Sequence, residues 1–250
     1  MKGQGLGYLT TILHLAPERL SGFQVCPMAT LGCKSACLNT AGRGGMFAGE
    51  TTKNLTGSEM VTLIKSGKLH NRIQSARIAR TRLFFEDRTA FMTQMVKEIK
   101  SQIKVAKKND LIPVFRLNGT SDLRWELFPV TVDGKEYSNV ISAFPDIQFY
   151  DYTKIPNRRD LPKNYHLTFS LAESNKENAI TALMKGYNVA AVFRTATLPR
   201  VFMGRRVVNG DTTDLRFLDP QGVIVGLKAK GKAKKDTSGF VYDSGLSLSK

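Results

Sequence analysis

The chain has 250 residues and is 42% hydrophobic, enough for a sizeable core, while 37 Lys and Arg against 21 Asp and Glu leave a formal net charge of +16. No stretch approaches the roughly 18 consecutive apolar residues of a membrane span, and the opening Met1-Lys-Gly-Gln-Gly-Leu-Gly-Tyr8 lacks the apolar run of a secretory signal. These features argue against a membrane protein and for a cytoplasmic one, in a reducing compartment where structural disulfides are disfavoured. The charge surplus draws polyanions, nucleic acid or nucleotides first among them. Much of it sits in two places, Lys68 to Arg88 (with Arg72, Arg77, Arg80, Arg82 and Arg88) and Lys228-Ala-Lys-Gly-Lys-Ala-Lys-Lys235.

In chain order, Leu9–Leu15 reads as a buried strand closed by Pro17. A cysteine-containing loop follows, and then a Gly-rich stretch, Asn39–Gly45. Ser58 caps a short expected helix (Met60, Leu63, Ile64) that Gly67 ends. From Glu86 to Lys108, Phe91, Met92, Met95, Val96, Ile99, Ile103 and Ala106 recur at helical spacing, with lysines toward water. Four short apolar runs follow, Ile112–Leu117, Ile147–Tyr152, His166–Leu171 and Val189–Phe193, rich in β-branched and aromatic residues. Asn139–Phe144 and Lys176–Lys185 are expected helices between them. This alternation predicts an α/β fold, a partial (β/α) barrel or an open, mostly parallel sheet. Arg205–Asn209, Leu215–Leu218 and Val223–Leu227 predict a small antiparallel C-terminal appendage. The division expected is residues 1–200 for the main unit and 201–250 for the appendage with its basic loop.

The only three cysteines, Cys26, Cys33 and Cys37, fall within twelve residues with spacing C-x6-C-x3-C. Thiols gathered in one loop point to a metal or a cluster, and three protein ligands leave a fourth position open. The spacing is not that of paired zinc knuckles. Soft thiolates without a neighbouring histidine suit an iron–sulfur cluster. Zinc completed by His14 or His166 and plain free thiols are the other two readings.

In parallel α/β folds the chemistry lies at the C-terminal ends of the strands. Each predicted strand here ends in polar residues. These are Asn118, Thr120, Ser121 and Asp122, with Arg124 and Glu126 beyond; Asp151 to Lys154; Ser170, Glu173, Ser174 and Asn175; and Arg194 with Thr195. If the sheet is parallel they share one rim with the thiols. Asp211, Asp214 and Arg216 of the tail are expected near its mouth.

The three-cysteine loop after a first strand resembles, in outline, the radical S-adenosylmethionine enzymes. The resemblance implies a [4Fe–4S] cluster on Cys26, Cys33 and Cys37, with S-adenosylmethionine chelating the remaining iron. Asn118, Thr120, Ser121 and Asp122 would then hold its polar groups, and Ser170, Glu173 and Arg194 would lie across the mouth. The spacing is wider than that superfamily's C-x3-C-x2-C, and Asn118–Asp122 stands where its Gly-Gly-Glu-Pro would be. A second resemblance runs over nearly the whole chain. The blocks Cys26–Gly44, Arg116–Asp122, Phe149–Lys154 and Asp214–Gly231 are similar to a bacteriophage family, gene product 88. It implies a phage protein acting in the cytoplasm of an infected bacterium and implies no particular reaction.

Two functions follow. One is an iron–sulfur enzyme acting on nucleic acid or a nucleotide. The other is a non-enzymatic module, stabilised by a cluster or zinc, that binds nucleic acid through its basic segments or regulates a host protein.

Overall fold

The computed structural model describes residues 3–40, 62–63, 66 and 71–243. Its strands are β1 (Tyr8–Ile12), β2 (Ile112–Arg116), β3 (Val130–Val132), β4 (Lys135–Tyr137), β5 (Gln148–Thr153), β6 (Tyr165–Ser170), β7 (Asn188–Arg194), β8 (Val201–Phe202), β9 (Arg205–Asn209), β10 (Ile224–Lys228) and β11 (Val241–Asp243). Its α-helices are α1 (Leu31–Ser35), α2 (Arg72–Glu86), α3 (Arg88–Lys108), α4 (Val140–Ala143) and α5 (Lys176–Met184).

The fold is α/β. One nine-stranded sheet has the order β1-β2-β5-β6-β7-β10-β9-β8. Along it every neighbouring pair is parallel except β8–β9. From β1 to β7 the order follows the chain, apart from the hairpin β3–β4. The strand ends therefore all arrive at one edge, as the sequence pattern required. Strand β7 is paired by β10 along one side, while β6 pairs its first half (Asn188–Ala190) and β11 its second (Val192–Arg194). So β11 takes the place on β7 that β6 vacates, above the strand ends. The sheet does not close into a barrel.

The last fifty residues hold one antiparallel pair, β8–β9, but β9, β10 and β11 are parallel members of the main sheet. Leu215–Leu218, expected as a strand, is instead a 3-10 turn over Arg216–Leu218. Its cause is Arg216, which is fully buried, donates to the Thr213 carbonyl and forms an ion pair with the Asp219 carboxylate at 3.3 Å, both in its own turn. A second antiparallel unit, the hairpin β3–β4, turns at Asp133 and Gly134, both with positive φ (51° and 78°). That geometry is the one Asp-Gly favours.

The expected helix from Glu86 to Lys108 begins at Arg88, because Asp87 interrupts it. Asp87 is non-helical, and its Oδ1 accepts from Ala90 N at 2.9 Å, capping α3 just where α2 ends. Asn71 caps α2 in the same way, and Asn139 caps α4. The short helix expected after Ser58 lies outside the described residues, save that Thr62 and Leu63 are helical. The Gly-rich stretch beyond Thr40 lies outside them too. Among the described residues no helix is long and apolar enough to cross a membrane.

Helix α3 packs on one face of β1 and β2, and α2 packs against α3. Phe84 lies at the centre, fully buried, edge-on to Phe91, Trp125 and Phe128 at 5.2 Å each. The Arg88 guanidinium caps its ring at 3.7 Å. On the opposite face Val114, Tyr150 and Leu215 pack with Tyr8 and Phe217. Replacing Phe84 by Ala removes the shared partner of four side chains. Urea denaturation is expected to show a loss of about 3–5 kcal/mol, and a loss below about 1 kcal/mol would contradict this placement.

Candidate functional site

The cysteine spacing follows from a short helix. Thr30 caps α1 by accepting from Cys33 N at 3.2 Å. Cys33 and Cys37 stand four residues apart, one on the helix and one just past its end, and so lie on one side. Cys26 approaches from the other end of the loop. Its N–H is held by Gln24 Oε1 at 2.8 Å, and its Sγ accepts from Glu18 N at 3.5 Å and donates to Thr120 O at 3.7 Å.

Two long-range contacts press this loop against the sheet edge. Glu173, in the loop after β6, accepts from Thr30 Oγ1 and Gly32 N, both at 2.8 Å. Phe240, just before β11, packs so close to Gly32 that an added Cβ would sit 2.6 Å from its own Cβ.

All three cysteines line one cavity of about 330 Å³. Facing them are Asn118, Thr120, Ser121 and Asp122 after β2, Tyr152 to Lys154 at the end of β5, and Ser170 at the end of β6. Arg116, Asp211, Asp214, Lys228, Lys230 and Phe240 complete the wall. Glu173 and Arg194 do not line it. Glu173 is the clamp on α1, and Arg194 is engaged with the Asp236 carbonyl and Asp243, fastening the C-terminal segment.

Within the cavity the polar residues have different occupations. Asn118 Oδ1 accepts from Ser121 Oγ, Leu123 N and Trp125 Nε1, and its Nδ2 donates to Leu123 O. Its side chain is thus fully engaged in shaping the loop. Thr120 Oγ1 donates to Leu15 O at 2.5 Å. Asp122 accepts from Thr153 Oγ1 at 2.8 Å and Lys154 N at 2.7 Å. Lys154 Nζ donates to Ser170 Oγ at 2.9 Å and lies 5.5 Å from the Phe240 ring. Arg116 lies over Tyr152, 5.1 Å from its ring centre. Asp214 forms no ion pair among the described residues.

Burial pushes the Cys26 thiol up to about 12, with Cys37, Asp122 and Cys33 adding to the shift. Burial raises Cys37 as well, opposed by the Asn39 N–H on its sulfur and by Arg77 and Lys154. Without a metal the two thiols are therefore protonated at neutral pH, and binding one would release protons. Among the described residues no group of three or more His, Cys, Asp or Glu side chains is arranged to hold a metal ion. Neither His14 nor His166 is part of the cysteine cavity.

The sequence pattern does not mark Arg116 and Phe240 as site residues, and it marks Lys228 and Lys230 only as part of a basic segment for nucleic acid. Arg116 was findable, since it alternates with Val114 and so shares the face of Tyr150 and Tyr152. Phe240 carries no local signal.

Beneath the cavity, Asp151 is fully buried and accepts from Leu117 N at 3.3 Å, Asn118 N at 2.8 Å and Tyr165 Oη at 2.9 Å. Burial outweighs these donors and Arg116, raising its pKa from 3.8 to about 6. Between those values the native state keeps a proton that the unfolded chain has lost. The stabilisation is therefore full below about pH 4 and lost as pH rises through about 6. From pH 4 to 7 the stability difference between wild type and Asp151→Asn should move against the wild type by roughly 2–3 kcal/mol. A difference in urea midpoints that stays flat with pH would contradict this.

A family model described as Gene product 88 matches residues 2–244. No curated protein and no solved structure matches the chain.

Proposed function

The chain belongs to the gene product 88 family, and we propose that it is a phage iron–sulfur protein whose Cys26, Cys33 and Cys37 hold a [4Fe–4S] cluster. The observation that carries this reading is that all three thiols line one cavity at the edge where the parallel strands end, and a cluster takes each thiolate at a different iron. The surroundings suit an anionic group. Two sulfurs accept backbone N–H bonds, from Glu18 and Asn39. Arg77 and Lys154 place positive charge near Cys37. Both features stabilise and tune bound thiolates.

Such a cluster supplies one-electron reduction and an open coordination position. The residues around it then divide the work of binding a ligand there. Asp214 offers a carboxylate to a cationic group, and Arg116 and Lys154 offer donors to a carboxylate or phosphate. Tyr152 and Phe240 give flat apolar surface. This set suits S-adenosylmethionine, with its ammonium, sulfonium, carboxylate and adenine, and we assign it as the ligand. Lys232, Lys234 and Lys235 are exposed on a 3-10 turn. Its Ala233, with Ala229, packs in the cluster that contains Ala36 and Cys33. This basic turn beside the cavity favours a nucleic acid or nucleotide as the substrate.

Anaerobically purified protein should be brown and contain about four irons and four sulfides per chain. Cys33→Ala should lose most of the iron, and with reductant the wild type should convert S-adenosylmethionine to 5′-deoxyadenosine. Colourless protein with one zinc would refute the cluster. An iron-loaded protein that releases no 5′-deoxyadenosine would refute the ligand assignment alone.

A further inference from the structure

A second cavity, about 370 Å³, lies where the end of β1 meets α2 and α3, and it is basic. His14, Arg72, Arg77, Arg80 and Arg116 line it, against a single acidic side chain, Glu98. None of the four arginines forms an ion pair among the described residues. Arg77 is 8% exposed, and among the described residues the Nε atoms of Arg77 and Arg116 and the Nδ1 of His14 are buried without a hydrogen-bond partner. Buried guanidinium groups are stabilised by an anionic partner that takes up their donors, so this lining suits an anionic ligand.

We propose that this cavity binds a nucleotide, its phosphate held by Arg72, Arg77 and Arg80. Two of these groups are already set in position. Arg80 Nη1 donates to His14 O at 2.7 Å, and Arg77 Nη1 to Asn39 O at 2.9 Å and Asn39 Oδ1 at 2.5 Å. Their forks match phosphate oxygens with paired N–H groups, which an ammonium does not provide. Burial together with Arg77, Arg116 and Arg80 pushes His14 down to about 4. It is therefore neutral at pH 7 and adds a donor or acceptor without adding charge. The floor is Met95, Ile99, Phe115 and Leu117. An apolar floor under a cationic rim fits a flat base joined to a phosphate, and the volume lies in the range of small-molecule sites. Phosphate alone would leave that floor uncovered.

The test is calorimetric titration of the full chain with adenosine monophosphate, inorganic phosphate and adenosine. The nucleotide should bind, phosphate more weakly, and adenosine not measurably. Arg80→Gln and, separately, Arg72→Gln should each weaken nucleotide binding about tenfold or more. Arg82→Gln, on the same helix but paired with Glu86 outside the cavity, should not change it. Arg72 is exposed, so its variant should keep the wild-type urea midpoint. No heat from the nucleotide, an unchanged Kd in both cavity variants, or phosphate binding as tightly as the nucleotide would overturn the proposal.

Discussion

Two buried carboxylates at the ends of neighbouring strands decide where the cysteines go. Asp151 on β5 draws in the backbone N–H groups of Leu117 and Asn118, turning the chain as it leaves β2. Asn118 then closes the loop on itself and on Trp125. Asp122, at the far end, bonds Thr153 and Lys154 through its side chain and Val25 O through its backbone N–H. Val25 precedes Cys26, and Thr120 O meets the Cys26 sulfur directly. The thiol thus takes its position from a polar network rooted in the sheet. Such a network is strong because it is buried and satisfied, and losing one member leaves the others unpaired in low dielectric.

The other end of the cysteine loop depends on the chain's C-terminal third. Glu173 clamps the start of α1, Phe240 closes over Gly32, and the lysine turn packs Ala233 beside Ala36. Strand β11 supplies the anchor by pairing with the upper half of β7. The basic run is therefore an ordered part of the cavity's surroundings, which ties the charge surplus to the place where the thiols lie.

How much of this was legible in the sequence depends on the range of the interaction. The parallel strands could be read from short β-branched runs, and α3 from its apolar stripe, because burial on both faces or on one leaves a local pattern. Asn118, Thr120, Ser121, Asp122 and Ser170 could be placed on the cavity wall because strand ends in a parallel sheet share an edge. Glu173 and Arg194 stand at such ends too, but their side chains turn to partners more than forty positions away, Gly32 and Asp236, which no local pattern encodes. The Leu215–Leu218 run looks like a strand since Leu215 is buried and Phe217 packs against the same core cluster. What the pattern hides is the demand of Arg216 for two oxygens in its own turn. The β3–β4 hairpin was written plainly in Asp133-Gly134 between Val-Thr-Val and Lys-Glu-Tyr, and it has no bearing on the site.

The reading of the cavity comes down to whether the three thiols that line it are joined by a multi-iron group. Crystals grown without oxygen and measured at the iron absorption edge would answer directly. The account predicts an anomalous peak of several irons bonded to Cys26, Cys33 and Cys37, with one iron facing the cavity and no protein ligand. A single-atom peak, or sulfurs with no metal between them in protein purified anaerobically with iron and sulfide, would contradict it.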